Sequence, residues 1–375
     1  MINYDELKSM VIRYRRDLHQ IPELGFFVYK TSAYVKEVLE PMDCSIEAVA
    51  GTGIAAFFNF GKEKTIAFRG DMDALPIEEE SGAEYSSKHP GCMHACGHDG
   101  HMANLLGFAK VLNDYKRNNT QVRYNALLIF QPAEETIEGA KKILESNIFE
   151  RYNTKAIFGL HLWPMLEKGE IASRPGPMMA RSTEVAINFE GKSAHCGEPE
   201  KGRDALLAAC RFVDTIYNFK DNFVKERSIL KFGKMESGDV RNAISSHTRL
   251  DGTLRTFNDN TWDYIVNAMR ALGDEIESST GVVVDIDVNK GHPAVVNDER
   301  LYAMMKHCTE DLNYVELRKP VLIAEDFSCF EQVIPGVFFF LGTGTGIPLH
   351  NDHFDFDDNI LIDGVHLFNK LFMEL

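Results

Sequence analysis

The sequence predicts an α/β fold with a smaller α+β domain inserted into it, and three observations carry that prediction. Through the first half of the chain, short apolar runs bounded by glycine or polar residues alternate with helical patterns. A strand–helix–strand–strand–helix–strand order then occupies 183–288, after which the chain returns to helix, strand and helix. Apolar strands between helices indicate a sheet buried on both faces. The middle order is the ferredoxin-like supersecondary pattern. The simplest topology is one α/β domain from 1–180 and 291–375, with 181–290 inserted as the second domain.

Taken in order, 5–19 and 31–40 read as helices from the spacing of their apolar residues. Strands are expected at 54–60 (IAAFFNF), 65–69 (TIAFR), 125–130 (NALLIF) and 156–161 (AIFGLH). Helices are expected around 101–117 and 137–146. In the insert, 183–190 (TEVAINFE) alternates like a half-exposed strand. A helix fits 203–219, where Ala205, Leu206, Ala209, Phe212, Val213 and Ile216 share a face. Strands near 228–235 and 247–256 follow, then a helix at 261–279 ended near Gly281, and a strand at 282–288. The strand VFFFLG (337–342) and a helix at 359–373 complete the larger domain.

A chain of 375 residues suits two domains at roughly 150 residues each. Its 44% apolar and 26% charged residues exclude a disordered or fibrous protein. Acidic residues outnumber basic ones, 56 to 40, and there is no long Lys/Arg run, so no nucleic-acid partner is expected. Seven cysteines are too sparse for a disulfide framework and suit reduced thiols. The N-terminus lacks the apolar core of a signal peptide, and no run reaches the length of a membrane span. A cytoplasmic protein without a membrane partner is the expectation.

The reactive side chains concentrate in MHACGHDGHMA, 93–103, which holds His94, Cys96, His98, Asp99 and His101. Cys96 and His98, separated by a glycine, can aim a thiolate and an imidazole at one point, as zinc and other late first-row metals require. The apolar run that follows reads as a helix, whose N-terminal dipole favours a thiolate. The bland alternative for these residues is a His-rich surface loop. Glu134 and Glu135 stand just past the strand NALLIF, where open α/β sheets place their ligands. One carboxylate can bind metal while its neighbour takes a proton from water; an acidic helix N-terminus is the alternative. His161, His350 and Asp71 also fall beside strand ends. Such a set suggests metal-assisted hydrolysis.

These segments, RGDMDALP, HACGHDGHMA, FQPAEE, GLHLWP, GKSAHCGEP, GTLRTF, AEDFS and LHNDHFD, stand in one order along the chain. In that order the sequence resembles the hippuricase-like branch of the dinuclear-metal aminoacylase and carboxypeptidase family. The branch includes hippurate hydrolases, N-acyl-amino-acid amidohydrolases, auxin-conjugate hydrolases and N-acetyldiaminopimelate deacetylases. The resemblance implies a zinc-peptidase-like catalytic domain with an inserted lid or dimerisation domain. It implies two divalent metal ions per subunit (Zn, Mn, Co or Ni) held by Cys96, His98, Glu135, His161 and His350, with Cys96 between them. Glu134 matches the general base, and Asp71 the acid that orients a metal ligand. His195 matches a histidine that reaches the active site of a partner subunit, so a homodimer is expected; Asn242 and Arg255 match substrate-contacting positions. Where most relatives have a metal-binding histidine, this chain has Arg69, a substitution shared by the branch.

The implied reaction is hydrolysis of an N-acyl amino acid to the free amino acid and a carboxylate, with N-acetyl-LL-diaminopimelate a specific candidate from lysine synthesis. Three rivals are a metallopeptidase, a nucleobase deaminase and a catalytically inactive metal-binding protein. The deaminase elements H-x-E and P-C-x-x-C are absent, and Glu134 is retained, as an inactive protein would not require.

Overall fold

A computed structural model describes residues 3–375 and divides into two units. The larger comprises Met1–Met178, Val296–Pro320 and Glu325–Leu375; the smaller comprises Met179–Val295 and Val321–Ala324. The short segment Val321–Ala324 thus groups with the smaller unit, away from its neighbours in sequence.

The larger unit is built on an eight-stranded sheet. Its order is Ser45–Val49, Gly53–Phe58, Asn125–Gln131, Thr65–Asp71, Thr154–Trp163, Gly336–Gly342, Ile171–Ser173 and Tyr314–Glu316. The four central strands are mutually parallel. Three of them, Thr65–Asp71, Asn125–Gln131 and Gly336–Gly342, are buried along their whole length, which explains their near-continuous apolar sequences. Being parallel, they end on one side: Asp71 pairs with Gln131, and Phe340 with His161. The loops carrying Asp73, Glu134, Glu135 and His350 leave from those ends.

Tyr4–His19, His98–Arg117 and Leu361–Glu374 form a helical layer that packs together. Asn3 caps the first of these through Asp5 N at 3.0 Å. The helix expected at 137–146 is shorter, Gly139–Leu144, followed by Ile148–Arg151. The start of that helix is tightly constrained: a Cβ on Gly139 would lie 1.8 Å from the carbonyl oxygen of Pro132.

The smaller unit is a four-stranded antiparallel sheet, ordered Val283–Val288, Arg181–Glu190, His247–Thr256 and Ile229–Ser237. One face is covered by the helices Ala205–Phe223 and Asp259–Thr280, which accounts for the alternating burial of Arg181–Glu190. Gly281, at φ 71°, ends the second helix in the left-handed conformation. The fold is therefore an α/β domain with a separate small antiparallel-sheet domain. Among the described residues no helix is long and apolar enough to cross a membrane.

Candidate metal centre

The helix His98–Arg117 begins three residues earlier than its apolar pattern suggests, so that His98 occupies its first turn. Gly97 makes this possible, with φ 82° and a Cβ position only 2.9 Å from Leu162 Cδ1. A side chain there would meet both backbone strain and a clash. Cys96 and His98 consequently project from either side of a tight turn at the end of the central strand Thr154–Trp163.

Five residues expected as ligands are brought together in two triads. Cys96, His98 and His161 form one; Cys96, Glu135 and His350 form the other; within each, the potential ligand atoms lie within 4.8 Å of one another. Cys96 is common to both. Its Sγ stands 3.5 Å from His161 Nε2, and His350 Nε2 stands 3.4 Å from Glu135 Oε1. His98 Nε2 is 3.9 Å from Glu135 Oε1, yet both atoms are buried without a hydrogen-bond partner. Buried polar atoms are normally paired. Two orphaned polar atoms facing each other, beside a thiol and two imidazoles, fit a late first-row divalent metal that displaces any proton between them.

The ring orientations follow from backbone contacts. His98 Nδ1 donates to the carbonyl oxygen of Asp73 at 2.7 Å, and His161 Nδ1 donates to that of Leu162 at 2.7 Å. A carbonyl can only accept, so each ring presents Nε2 to the centre. His350, at φ 62°, is tied through its own N–H to Ala95 O at 2.8 Å. His101 is in the cluster by sequence but not by role. Its Nδ1 bonds Asp71 Oδ1 at 2.6 Å and its Nε2 accepts from Leu162 N at 2.8 Å, which leaves no nitrogen for a metal. Asp71 therefore connects to the expected ligand His161 by way of His101 and the Leu162 backbone, while His98 Nδ1, 3.7 Å from Asp71, is already committed to Asp73.

Arg69 occupies the centre of a buried network that the sequence reading did not resolve. Its Nη1 donates to Asp71 at 2.6 Å, its Nη2 to Glu325 at 2.9 Å and Asp326 at 3.0 Å, and its Nε to Gln131 at 2.9 Å. At the position where the family resemblance leads one to expect a metal-binding histidine, this chain has a fixed cation that gathers three carboxylates. Removing one partner of such a buried pair costs about 3–5 kcal/mol in comparable cases. A second network braces the helix carrying His98. Buried Arg15 holds Asp99 at 2.8 Å, Asp355 at 2.9 Å and Asp358 at 3.0 Å, and His19 bonds Asp99 at 2.7 Å. Neither network announces itself in sequence, since Arg69 and Arg15 find partners more than 250 residues away; the AEDFS motif marked one end without its partner.

The electrostatics divide the acids by role. Burial, reinforced by Glu325, Glu135, Asp326 and Asp71, raises the Glu134 carboxyl well above its ordinary value. Burial would raise Glu135 too, but the adjacent His350 and His98 bring it below. Burial also opposes the Asp71 carboxylate, yet His98, Arg69 and His101 hold it well below its usual range. The Cys96 thiol is raised, first by burial and then by Glu135, Glu134 and Asp71. A helix N-terminus favours a thiolate, but here burial and three nearby carboxylates outweigh its partial charge. His94 is wholly buried and pushed down to about 3, mainly by that burial.

The remaining predicted residues lie in the smaller unit. His195 is exposed, with Gly197 N donating to its Nδ1 at 3.0 Å. The backbone pairs His195 with Ala243, and Cys196 N donates to Asn242 O at 3.1 Å, so the unit brings His195 and Asn242 together. Arg255 lies at the opposite end of the strand His247–Thr256 and donates to Leu322 O at 2.5 Å.

A sequence model of peptidase family M20/M25/M40 matches residues 67–374. An uncharacterized hydrolase of Staphylococcus haemolyticus is 34% identical over 376 residues, covering 97% of this chain and 98% of that protein. A provisionally assigned aminohydrolase from methicillin-resistant Staphylococcus aureus superposes with a TM-score of 0.90 at 28% identity, over 98% of this chain and 97% of that one. The YxeP protein of Bacillus subtilis, described as a dinuclear metal binding peptidase, gives 0.86 at 29% identity and 98% of each chain.

Proposed function

The chain belongs to the M20/M25/M40 peptidase family, and from that premise we propose that it is a metal-dependent amidohydrolase cleaving N-acyl amino acids, chiefly N-acetyl ones, to a free amino acid and a carboxylate. One observation carries the reading: two triads share Cys96, two of their buried polar atoms, His98 Nε2 and Glu135 Oε1, have no hydrogen-bond partner, and a further buried carboxyl, Glu134, stands beside them without a place in either. Cys96, His98, Glu135, His161 and His350 would hold two divalent ions. When bound, the ions supply Lewis-acid polarisation and lower the pKa of water from 15.7 toward about 7.

The chain's own residues supply the proton movements. Glu134 takes a proton from the attacking water as the carbon–oxygen bond forms. It then delivers that proton to the amide nitrogen as the carbon–nitrogen bond breaks, because an amide anion is too basic to leave unaided. A raised carboxyl pKa suits a group that must hold the proton between the two steps. His195 is assigned to the tetrahedral oxyanion, an interaction worth roughly 3–4 kcal/mol at comparable sites. Asn242 and Arg255 are assigned to the substrate, Arg255 to its carboxylate.

A panel of hippurate, N-acetyl-methionine and N-acetyl-LL-diaminopimelate, each with Mn²⁺, Zn²⁺, Co²⁺ or Ni²⁺, tests the reading. The specific proposal is that the diaminopimelate derivative is the best substrate. Because the Bacillus subtilis relative is described as a peptidase, dipeptides belong in the panel. Turnover of dipeptides alone would replace the amidohydrolase reading with a metallopeptidase one.

The proposal extends to a homodimer formed through 181–290, each active site receiving His195 from the other chain. In its support, the strands Ile229–Ser237 and Val283–Val288 are outer strands of the smaller sheet, and pairing between copies would protect an open edge. Mixed dimers of His195→Ala and Glu134→Gln chains should then recover one working site. Mixed dimers no more active than either parent, with exchange verified by mass, would refute the arrangement.

A further inference from the structure

Asp73 is a residue of RGDMDALP to which the proposed chemistry gives no part. It is 1% exposed and lies two residues past the end of Thr65–Asp71. Its two carboxylate oxygens accept from consecutive backbone N–H groups, Oδ1 from Glu134 N at 2.9 Å and Oδ2 from Glu135 N at 3.1 Å. Its carbonyl oxygen accepts from His98 Nδ1 at 2.7 Å. We propose that Asp73 is a positioning residue that sets the spacing between the general base and the metal ligands, by fixing His98, Glu134 and Glu135 to one side chain and one carbonyl. The inference rests on the amidohydrolase reading for its catalytic consequence, though not for its geometry.

Three features make Asp73 a reference point rather than an ordinary turn cap. First, it joins separate elements: His98 opens a helix, whereas Glu134 and Glu135 lie in the turn after Asn125–Gln131. Second, the two residues that follow it are tied to separate segments of the chain. Ala74 N donates to Glu23 O at 2.8 Å, and Leu75 and Met93 exchange two backbone bonds at 3.0 Å. The second clamp lies beside the loop that carries Cys96. Third, the turn it holds is strained. Ala133, immediately before Glu134, has φ 58°, and Ile137 has φ 62°. Side chains disfavour that region, and such conformations persist only where surrounding contacts enforce them. Two charge-assisted bonds to adjacent amides supply that enforcement. A hydrogen bond from Nδ1 also selects which nitrogen of His98 faces the centre.

The test is Asp73→Asn, which matches the native shape but can accept only one of the two N–H groups and turns a donor toward the other. Metal-loaded wild-type and variant chains are compared in the rate of Zn²⁺ release to a chromophoric chelator. They are also compared in kcat and KM on the fastest substrate of the panel. Release should quicken and kcat fall by about 10–100-fold, with KM nearly unchanged, as for loss of an outer-shell partner elsewhere. A variant with lowered thermal stability but native release rate and native kcat when fully loaded would make Asp73 a structural cap and overturn the proposal. Should the variant not fold, amide hydrogen exchange of the wild type decides. Slow exchange at both Glu134 and Glu135 supports the carboxylate clamp, and rapid exchange at both refutes it. Metal release and exchange require no substrate, so a wild type that hydrolyses no N-acyl amino acid would defeat the functional reading while leaving Asp73 to be judged separately.

Discussion

Glu134→Gln is expected to leave the fold and metal content unchanged and to lower kcat by roughly 10²–10⁴-fold, the usual contribution of general acid–base catalysis. The amide nearly matches the carboxylate in shape but cannot accept a proton from water. The substitution also tests an alternative, that Glu134 is chiefly a structural acid. Glu134 lies in a buried setting already crowded by Glu325, Glu135, Asp326 and Asp71. Removing one of these charges relieves repulsion, so the variant should unfold no earlier than wild type in a thermal melt. A catalytic role therefore predicts a stable, metal-loaded and inactive protein, a combination that a structural role does not give. Retention of more than about a tenth of wild-type kcat would remove Glu134 as the base.

The parts of the molecule legible in sequence are those with strong local signals. The runs TIAFR, NALLIF and VFFFLG became central parallel strands because strands buried on both faces must be apolar throughout. Those strands explain why the candidate residues meet, since parallel strands share one carboxyl end and Asp71, Glu134, Glu135 and His161 all lie at or just past it. The insert was legible through alternation and through Gly281 as a helix stop. The short strands Ser45–Val49, Ile171–Ser173 and Tyr314–Glu316 were not, because segments of three to five residues take their conformation from their neighbours. The helix expected at 137 begins at Gly139, after a turn in which Ala133 and Ile137 take positive φ and the amides of Glu134 and Glu135 bond Asp73. What sequence could not give was pairing at a distance. RGDMDALP held Arg69, Asp71 and Asp73, yet Arg69 meets Glu325 and Asp326, and Asp73 meets Glu134 and Glu135. Alternation carried a signal only within the strand: Arg69 and Asp71, two residues apart, share a side of Thr65–Asp71 and bond each other at 2.6 Å.

Metal loading should depend steeply on pH, and the sign follows from the two donors that hold protons. Burial, Glu135, Glu134 and Asp71 keep the Cys96 thiol well above its ordinary value. Burial opposes a charged His98, but Asp71, Asp73 and Glu135 overcome it and push His98 up to about 10. Near neutral pH both groups are therefore protonated in the metal-free chain, and a metal must displace one proton from each. His161, lowered chiefly by burial, and Glu135, already below its ordinary value, have none to lose there. Raising the pH removes the competing protons, so affinity rises with pH and falls in acid. Each displaced proton contributes about tenfold per pH unit below its own pKa, giving about 100-fold per unit for the pair. Competition of Zn²⁺ against a chelator at about pH 6, 7 and 8, corrected for the chelator's own protonation, reads this slope directly. Cys96→Ala should remove one proton from the count and cut the slope to about tenfold per unit. The variant should also hold less metal by elemental analysis, because both triads lose the atom they share. An unchanged slope together with full metal occupancy in the alanine variant would show that the thiol is not a ligand, and with it would fall the view that one sulfur joins the two triads.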